Sequence, residues 1–162
     1  MASGLLIIWH SRTGAAQAMA QAAFEAACTS GPCRMIGADE AVSDDLLAAQ
    51  GYLFCCPENL GSMTGMMKEF FDRTYYPLLG KIEGRPYATM IAAGSDGSGA
   101  GRQIDRIVTG WRLRRIAEPL VICTKAQAPH DILADKHLLP EDVQKCRDLG
   151  QAVSAGLDLG VF

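Results

Sequence analysis

Hydroxyl and glycine residues stand together early in the chain, in the run His10-Ser11-Arg12-Thr13-Gly14-Ala15-Ala16. The apolar run Leu5 to Trp9 precedes them, and an Ala- and Gln-rich stretch follows. Ser11 and Thr13 offer hydroxyl groups, and the glycine permits a tight turn. At a helix start, the free backbone N–H groups and the helix dipole both favour an anion. The run therefore predicts a phosphate-binding turn, with an ordinary Ser/Thr helix cap as the alternative.

Two further polar, glycine-rich segments each follow an apolar run. Residues 57–65 read Pro-Glu-Asn-Leu-Gly-Ser-Met-Thr-Gly, and residues 94–101 read Gly-Ser-Asp-Gly-Ser-Gly-Ala-Gly. Both are longer than a minimal connection, and ordered segments of this kind often carry function. Simple flexibility is the alternative for residues 94–101. Glu58 offers a carboxylate for proton delivery, with a solvated loop residue as the alternative.

The elements that must position these segments alternate between short β-like runs and longer helical stretches. Strands are predicted at residues 5–9, 33–36, 51–56, 87–93 and 118–123, and helices at 15–28, 43–50, 64–76, 102–115 and 140–155. Continuous apolar strands indicate a sheet buried on both faces. The predicted fold class is α/β, a single doubly wound five-stranded parallel sheet of order 2-1-3-4-5 with helices on both faces. Ligands bind such sheets at the carboxyl ends of the strands, where the three segments fall.

Composition and charge narrow the function classes. The 162 residues predict a single domain over residues 1–162, and the net charge of −3 argues against nucleic-acid binding. The first apolar run is too short for a signal peptide or a membrane span, so we expect a cytoplasmic protein without membrane insertion. Six cysteines without a Cys-x-x-Cys pair indicate reduced thiols. The three histidines lack metal-ligand spacing, so no metal site is expected.

The three segments carry a family resemblance. The run Trp9 to Gly14 resembles the flavodoxin family's phosphate loop, Ser/Thr-x-Thr-Gly-x-Thr/Asn. The stretch Pro57 to Arg73 resembles the second flavin loop and its helix, and is most similar to the NADPH-dependent FMN reductase and quinone reductase branch. Pro-x-x-x-Gly-x-Met and Lys-x-Phe-x-Asp recur in that branch. Residues 94–101 resemble the third loop, and the likeness covers about residues 4–123 in the same order.

The resemblance implies a flavodoxin-like fold, FMN as the cofactor, and hydride transfer from NAD(P)H through the flavin to a quinone or similar small-molecule acceptor. The residues that it assigns to the phosphate are Ser11, Arg12, Thr13, Gly14, Ala15 and Ala16. Those bordering the isoalloxazine ring are Pro57, Glu58, Asn59, Leu60, Gly61, Ser62 and Met63. Those closing its other edge are Gly94, Ser95, Asp96, Gly97 and Gly99.

This sequence also departs from the family pattern. The final Thr or Asn of the phosphate loop falls at Ala15 or Ala16, which removes side-chain donors, and Arg12 could compensate. Residues 57–65 and 94–101 contain no Trp or Tyr, whereas electron-carrying flavodoxins sandwich the ring between such residues. Two alternatives stay open: a flavodoxin-like electron carrier, and a binding module of this fold that has lost FMN. The helices at 15–28 and 64–76 suggest a possible homodimer.

Overall fold

The computed structural model of the chain describes residues 4–162. The first three residues, Met1 to Ser3, lie outside the described residues. The elements run in the order β1 (Leu5–Trp9), α1 (Ala15–Ala27), β2 (Cys33–Gly37), α2 (Ser43–Ala48), β3 (Gly51–Asn59), β4 (Ser62–Met63), α3 (Gly65–Leu78), β5 (Pro86–Ala93), α4 (Ser98–Gly110), β6 (Arg114–Arg115), β7 (Leu120–Cys123), α5 (Pro129–Leu133) and α6 (Pro140–Asp158).

The main sheet is parallel and runs β2-β1-β3-β5, with β6 and β7 both pairing with β5 at its outer side. Leu5 of β1 pairs with Cys33 of β2 on one side and with Gly51 of β3 on the other, and these pairs define the register of the three strands. The predicted fold class is confirmed. The predicted count of five strands is wrong, because β4 and β6 bring the sheet to seven strands. Neither short strand carries a long apolar run, so neither was predicted.

Several element boundaries differ from the predicted ones at the edge where ligands bind. β3 extends to Asn59 and pairs antiparallel with β4, so most of the segment predicted as a loop is a β-hairpin. α4 begins at Ser98, inside the predicted glycine-rich loop. It ends at Gly110, and Arg112 follows with a left-handed φ of 56°. That turn leads into β6, a stretch predicted as helix.

Two apolar cores lie on opposite faces of the sheet, as alternating strand side chains require. Leu6 and Ile8 of β1 face the core that holds Phe54 and Trp111. Leu5 and Ile7 face the other core, which includes Met19 of α1. This burial on both faces explains the continuous apolar character of β1. Within residues 4–162, no helix combines the length and apolar character needed to cross a bilayer.

Helices α1 and α6 cross closely because the residues between them are small. A Cβ atom at Gly150 would lie 2.2 Å from the carbonyl oxygen of Ala23 and 2.7 Å from its Cα. Ser154, one turn further along α6, donates a hydrogen bond from its hydroxyl to the carbonyl of Ala27 at 2.9 Å. The α1 backbone is therefore held directly against α6.

Gly150→Ala is expected to lower the free energy of unfolding by about 1–3 kcal/mol, because the new methyl group meets backbone that cannot rotate away. Gly65→Ala is the matched control, since Gly65 begins α3 and has nothing within 4 Å of a new Cβ. It should leave stability unchanged or raise it by about 0.4–1 kcal/mol. Urea denaturation of both variants measures the difference. Equal stabilities would contradict the close helix contact.

Candidate functional site

A cavity of about 470 Å³ opens at the carboxyl ends of β1, β3 and β5. This volume lies within the usual range for small-molecule and cofactor sites. Its lining comes from every segment that the sequence singles out, and from one that it does not. The lining residues are Ser11, Arg12, Thr13, Ala15, Ala16, Pro57, Glu58, Asn59, Leu60, Gly61, Ala92, Ala93, Gly94, Ser95, Thr124, Ala126, Gln127, Ile132, Leu133 and Lys136.

The turn between β1 and α1 forms an anion cradle at one end of the cavity. Gly14 is the N-cap of α1, with a φ of 102°, and its N–H donates to the Ser11 hydroxyl at 3.1 Å. The amides of residues 15–17 open the helix and have no acceptor within it. Ala15 and Ala16 are small and buried, so their side chains leave the approach to these amides clear. The turn therefore supplies backbone donors and a helix dipole where side-chain donors are few.

The second wall of the cavity is the β3–β4 hairpin. Its two turn residues both take positive φ, 54° at Leu60 and 74° at Gly61. Residues 57–61 line the cavity, whereas Ser62 and Met63 do not. Instead, the Ser62 hydroxyl and the Met63 N–H both donate to Gln103 Oε1 of α4, at 2.9 and 2.8 Å. The hairpin is thus attached to α4 on the side away from the cavity.

Glu58 joins the hairpin to the third segment. Its Oε1 accepts the Gly97 N–H and its Oε2 accepts the Ala100 N–H, both at 2.9 Å. These are amides at the start of α4, so the carboxylate caps that helix from another part of the chain. The solvated-loop interpretation of Glu58 does not describe this position, because both carboxylate oxygens are hydrogen-bonded, whereas its role in proton delivery stays a prediction. Glu58 positions two walls of the cavity relative to each other.

The third segment lines the cavity only through Gly94 and Ser95. Asp96 accepts the Ser98 N–H and hydroxyl at 3.2 and 2.8 Å, and these bonds lower the pKa of its carboxyl group. Gly97 and Gly99 have a packing role. A Cβ at Gly99 would lie 2.1 Å from the Gly61 carbonyl oxygen, which shows how closely α4 approaches the hairpin turn.

His10 lies beside the phosphate turn but has a structural partner. Its Nδ1 is 3.0 Å from the hydroxyl oxygen of Thr64, the N-cap residue of α3. Burial lowers the pKa of His10, while the nearby Asp39 carboxylate raises it in part. This contact connects β1 to α3 behind the cavity.

One wall of the cavity was missed by the sequence analysis. The chain between β7 and α6, which includes α5, contributes Thr124, Ala126, Gln127, Ile132, Leu133 and Lys136. The Lys136 N–H donates to the Thr13 carbonyl at 2.8 Å, which fixes this segment to the phosphate turn. The segment has no apolar periodicity, so residue pattern alone did not reveal it. Its place after the last strand was the available signal, because that strand also ends at the ligand-binding edge.

The cavity has the features that a phosphorylated, planar ligand requires. Backbone N–H groups and a helix dipole are present at one end, for an anion. The hairpin and the strand residues Ala92 and Ala93 provide small or apolar walls further along. The lining contributed by the described residues contains no aromatic side chain. The residues present therefore fit FMN.

The fold and the cavity define the class: a flavodoxin-like α/β protein with the free amides of a helix start at its switch point. Comparison with known proteins agrees. The structure superposes on that of an archaeal flavodoxin with a TM-score of 0.77 and 16% identity, and the match covers 96% of this chain and 99% of the flavodoxin. A WrbA-like protein from Agrobacterium tumefaciens gives a TM-score of 0.70 at 16% identity, with 97% and 98% of the two chains covered. These likenesses show the fold.

Residues 14–128 match the family model for NADPH-dependent FMN reductases, and the chain belongs to that family. A protein named flavodoxin from Aquifex aeolicus (strain VF5) is 33% identical over 97 residues, or 59% of this chain. The chain spans about half, 52%, of the length of that relative. The predicted resemblance is confirmed, as is FMN as the cofactor.

Proposed function

We propose that this protein is an FMN-dependent reductase that transfers hydride from NAD(P)H to a quinone or similar small-molecule acceptor. The observation that carries the proposal is the cavity, with a phosphate turn at one end and no aromatic residue in its described lining. An uncovered ring face is what a nicotinamide and then a second substrate need for stacking. Bound FMN supplies the redox chemistry, and the protein supplies position and electrostatics.

The phosphate is assigned to the turn that precedes α1. The amides of Ala15 and Ala16 would bind its oxygens, with the Thr13 hydroxyl and the Arg12 guanidinium as side-chain donors. Arg12 is exposed and has no hydrogen bond or ion pair within residues 4–162, so it is free to contact an anion. Ser11 acts indirectly, because its hydroxyl accepts the Gly14 N–H and shapes the turn.

The ring is assigned to the space between the β3–β4 hairpin and the loop after β5. Pro57, Asn59, Leu60 and Gly61 would border one side, with Gly94 and Ser95 at the other edge. Asp96, Gly97, Gly99, Ser62 and Met63 support these walls from outside the cavity. Glu58 holds both sides together through the α4 amides.

Two measurements test the proposal. The purified protein should bind FMN near 1:1 with a dissociation constant on the order of micromolar or below, seen as quenched flavin fluorescence. It should then oxidise NADPH steadily with a benzoquinone as acceptor, giving parallel double-reciprocal lines, because both substrates use the same flavin face in turn. Absence of any fluorescence change or heat at saturating FMN would defeat the proposal and favour a module that has lost FMN.

An electron carrier is the second candidate, since relatives of this chain are named flavodoxin. A carrier would bind FMN equally well but would barely oxidise NADPH unless a partner reductase were added. Tight FMN binding together with negligible NADPH turnover, with quinone present, would therefore select the carrier. The net charge of −3 supports the reductase, because docking to cationic partners favours a stronger acidic field.

We also propose a single domain over residues 1–162 and a cytoplasmic location, which the six free cysteines support. A homodimer is supported by α3, where Met66 and Tyr76 are exposed. The other helix suggested for a dimer, α1, packs its small residues against α6 and the sheet instead. Size-exclusion chromatography with light scattering measures the oligomeric state.

A further inference from the structure

Lys136 occupies an unusual position for a lysine in an exposed segment. The residues on either side of it, from Pro129 to His137, are exposed, whereas Lys136 is half-buried and lines the cavity. Its side chain folds back over α5, where Nζ donates to the carbonyls of Asp131, Ile132 and Ala134. The ammonium group is therefore held at the carboxyl end of a helix, in contact with the cavity.

The same residue contacts the phosphate turn twice. Its N–H donates to the Thr13 carbonyl at 2.8 Å, and its Nζ lies 3.5 Å from the Thr13 hydroxyl oxygen. Its carbonyl oxygen lies 3.7 Å from the position a Cβ would take at Gly14. The ammonium group thus stands beside the turn whose amides face the cavity.

The charge of Lys136 has no carboxylate partner within residues 4–162. Two acidic residues lie close to it in sequence: Asp131 pairs its carboxylate with His130 at 3.1 Å, and the adjacent Asp135 forms no ion pair with Nζ. The carbonyls around Nζ are neutral, so they hold the group in place without cancelling its charge. An uncompensated cation next to free helix amides favours a bound anion.

We propose that Lys136 is a phosphate-binding residue that gives the site its preference for FMN over riboflavin. The inference rests on the proposed flavin site. It also explains how the turn can bind a phosphate with alanine at positions 15 and 16, where the family pattern has a Thr or Asn donor. The three N–H donors of Nζ all point to α5 carbonyls, so on phosphate binding one of them turns to a phosphate oxygen, and this charge-assisted bond replaces the missing hydroxyl or amide.

The test compares dissociation constants for FMN and riboflavin by fluorescence quenching in wild type, Lys136→Met and Lys81→Met. Lys136→Met should weaken FMN binding about tenfold or more, and riboflavin binding less than about twofold. It should also flatten the dependence of FMN affinity on salt. Lys81→Met removes the same charge before β5, at the opposite edge of the sheet, and should change neither constant.

Equal losses for both flavins in Lys136→Met would show a purely structural role and overturn the proposal, as would unchanged FMN affinity. If Lys136→Met fails to fold, Lys136→Gln keeps a donor for the α5 carbonyls and must still lose the FMN preference. A wild-type protein that binds both flavins equally would overturn the role of Lys136 while leaving the flavin site intact. A wild-type protein that binds neither would defeat the proposed function itself.

Discussion

Glu58→Ala is expected to weaken FMN binding about tenfold or more and to lower the free energy of unfolding by about 2 kcal/mol. The substitution removes the acceptor of the Gly97 and Ala100 N–H groups, which open α4. Those amides are left without a partner, and the hairpin is no longer held to the loop after β5. Flavin titration and urea denaturation measure the two effects.

The matched control is Glu83→Ala, which removes a carboxylate before β5, at the opposite edge of the sheet. Glu83 is paired only at 4.0 Å, with the exposed Arg112, so its loss should change stability by less than about 0.5 kcal/mol. Glu58→Gln should fall between wild type and Glu58→Ala, because an amide oxygen can still accept one of the two bonds. Wild-type affinity in Glu58→Ala would rule out the positioning role.

Gly14→Val should reduce FMN affinity about 100-fold, with a clearly smaller effect on riboflavin. The φ of Gly14 is 102°, a conformation that a β-branched residue strongly disfavours. The turn must therefore change shape, and the amides of α1 with it. Thr13→Ala removes a single donor and should give a loss of about tenfold for FMN alone. Fluorescence titration with both flavins separates these effects.

Gly80→Val provides the control for backbone strain. Gly80 has a φ of 77°, open space around a new Cβ, and a position in the turn before β5, away from the cavity. Because the backbone strain is of the same kind, Gly80→Val and Gly14→Val should each lower the free energy of unfolding by about 1–3 kcal/mol. Gly80→Val should nevertheless keep wild-type FMN affinity. If Gly14→Val lowers the affinity for FMN and riboflavin equally, the phosphate does not bind at this turn.

Much of the fold could be predicted because its strands are buried on both faces. A strand such as Leu5–Trp9 must be apolar throughout, and this leaves a clear pattern between polar turns. The order of the sheet followed from the alternation of strands and helices. The strands that were not predicted are β4 and β6. Each is two residues long and is defined only by its hydrogen-bonded pairing with a neighbouring strand. No periodic pattern can exist over two residues.

The candidate site was predicted in part for a related reason. Sequence pattern identified Ser11, Thr13 and the hairpin residues, because hydroxyl, glycine and proline residues close to a strand end are typical of binding turns. The same pattern did not identify Lys136, because its place in the cavity depends on a contact with Thr13, which is more than 120 residues away in the chain. The role of Glu58 was missed in the same way, since its partners belong to a helix that begins 40 residues later.

The paired positive φ values at Leu60 and Gly61 have an entropic consequence. They match the two-residue turn that closes a tight antiparallel hairpin, so the cavity wall is ordered by backbone pairing with β4. Ordering a free loop costs about 1–2 kcal/mol per residue, and here that cost is met when the chain folds. A ligand entering the cavity therefore does not have to immobilise this wall, and more of its contact energy is left for affinity.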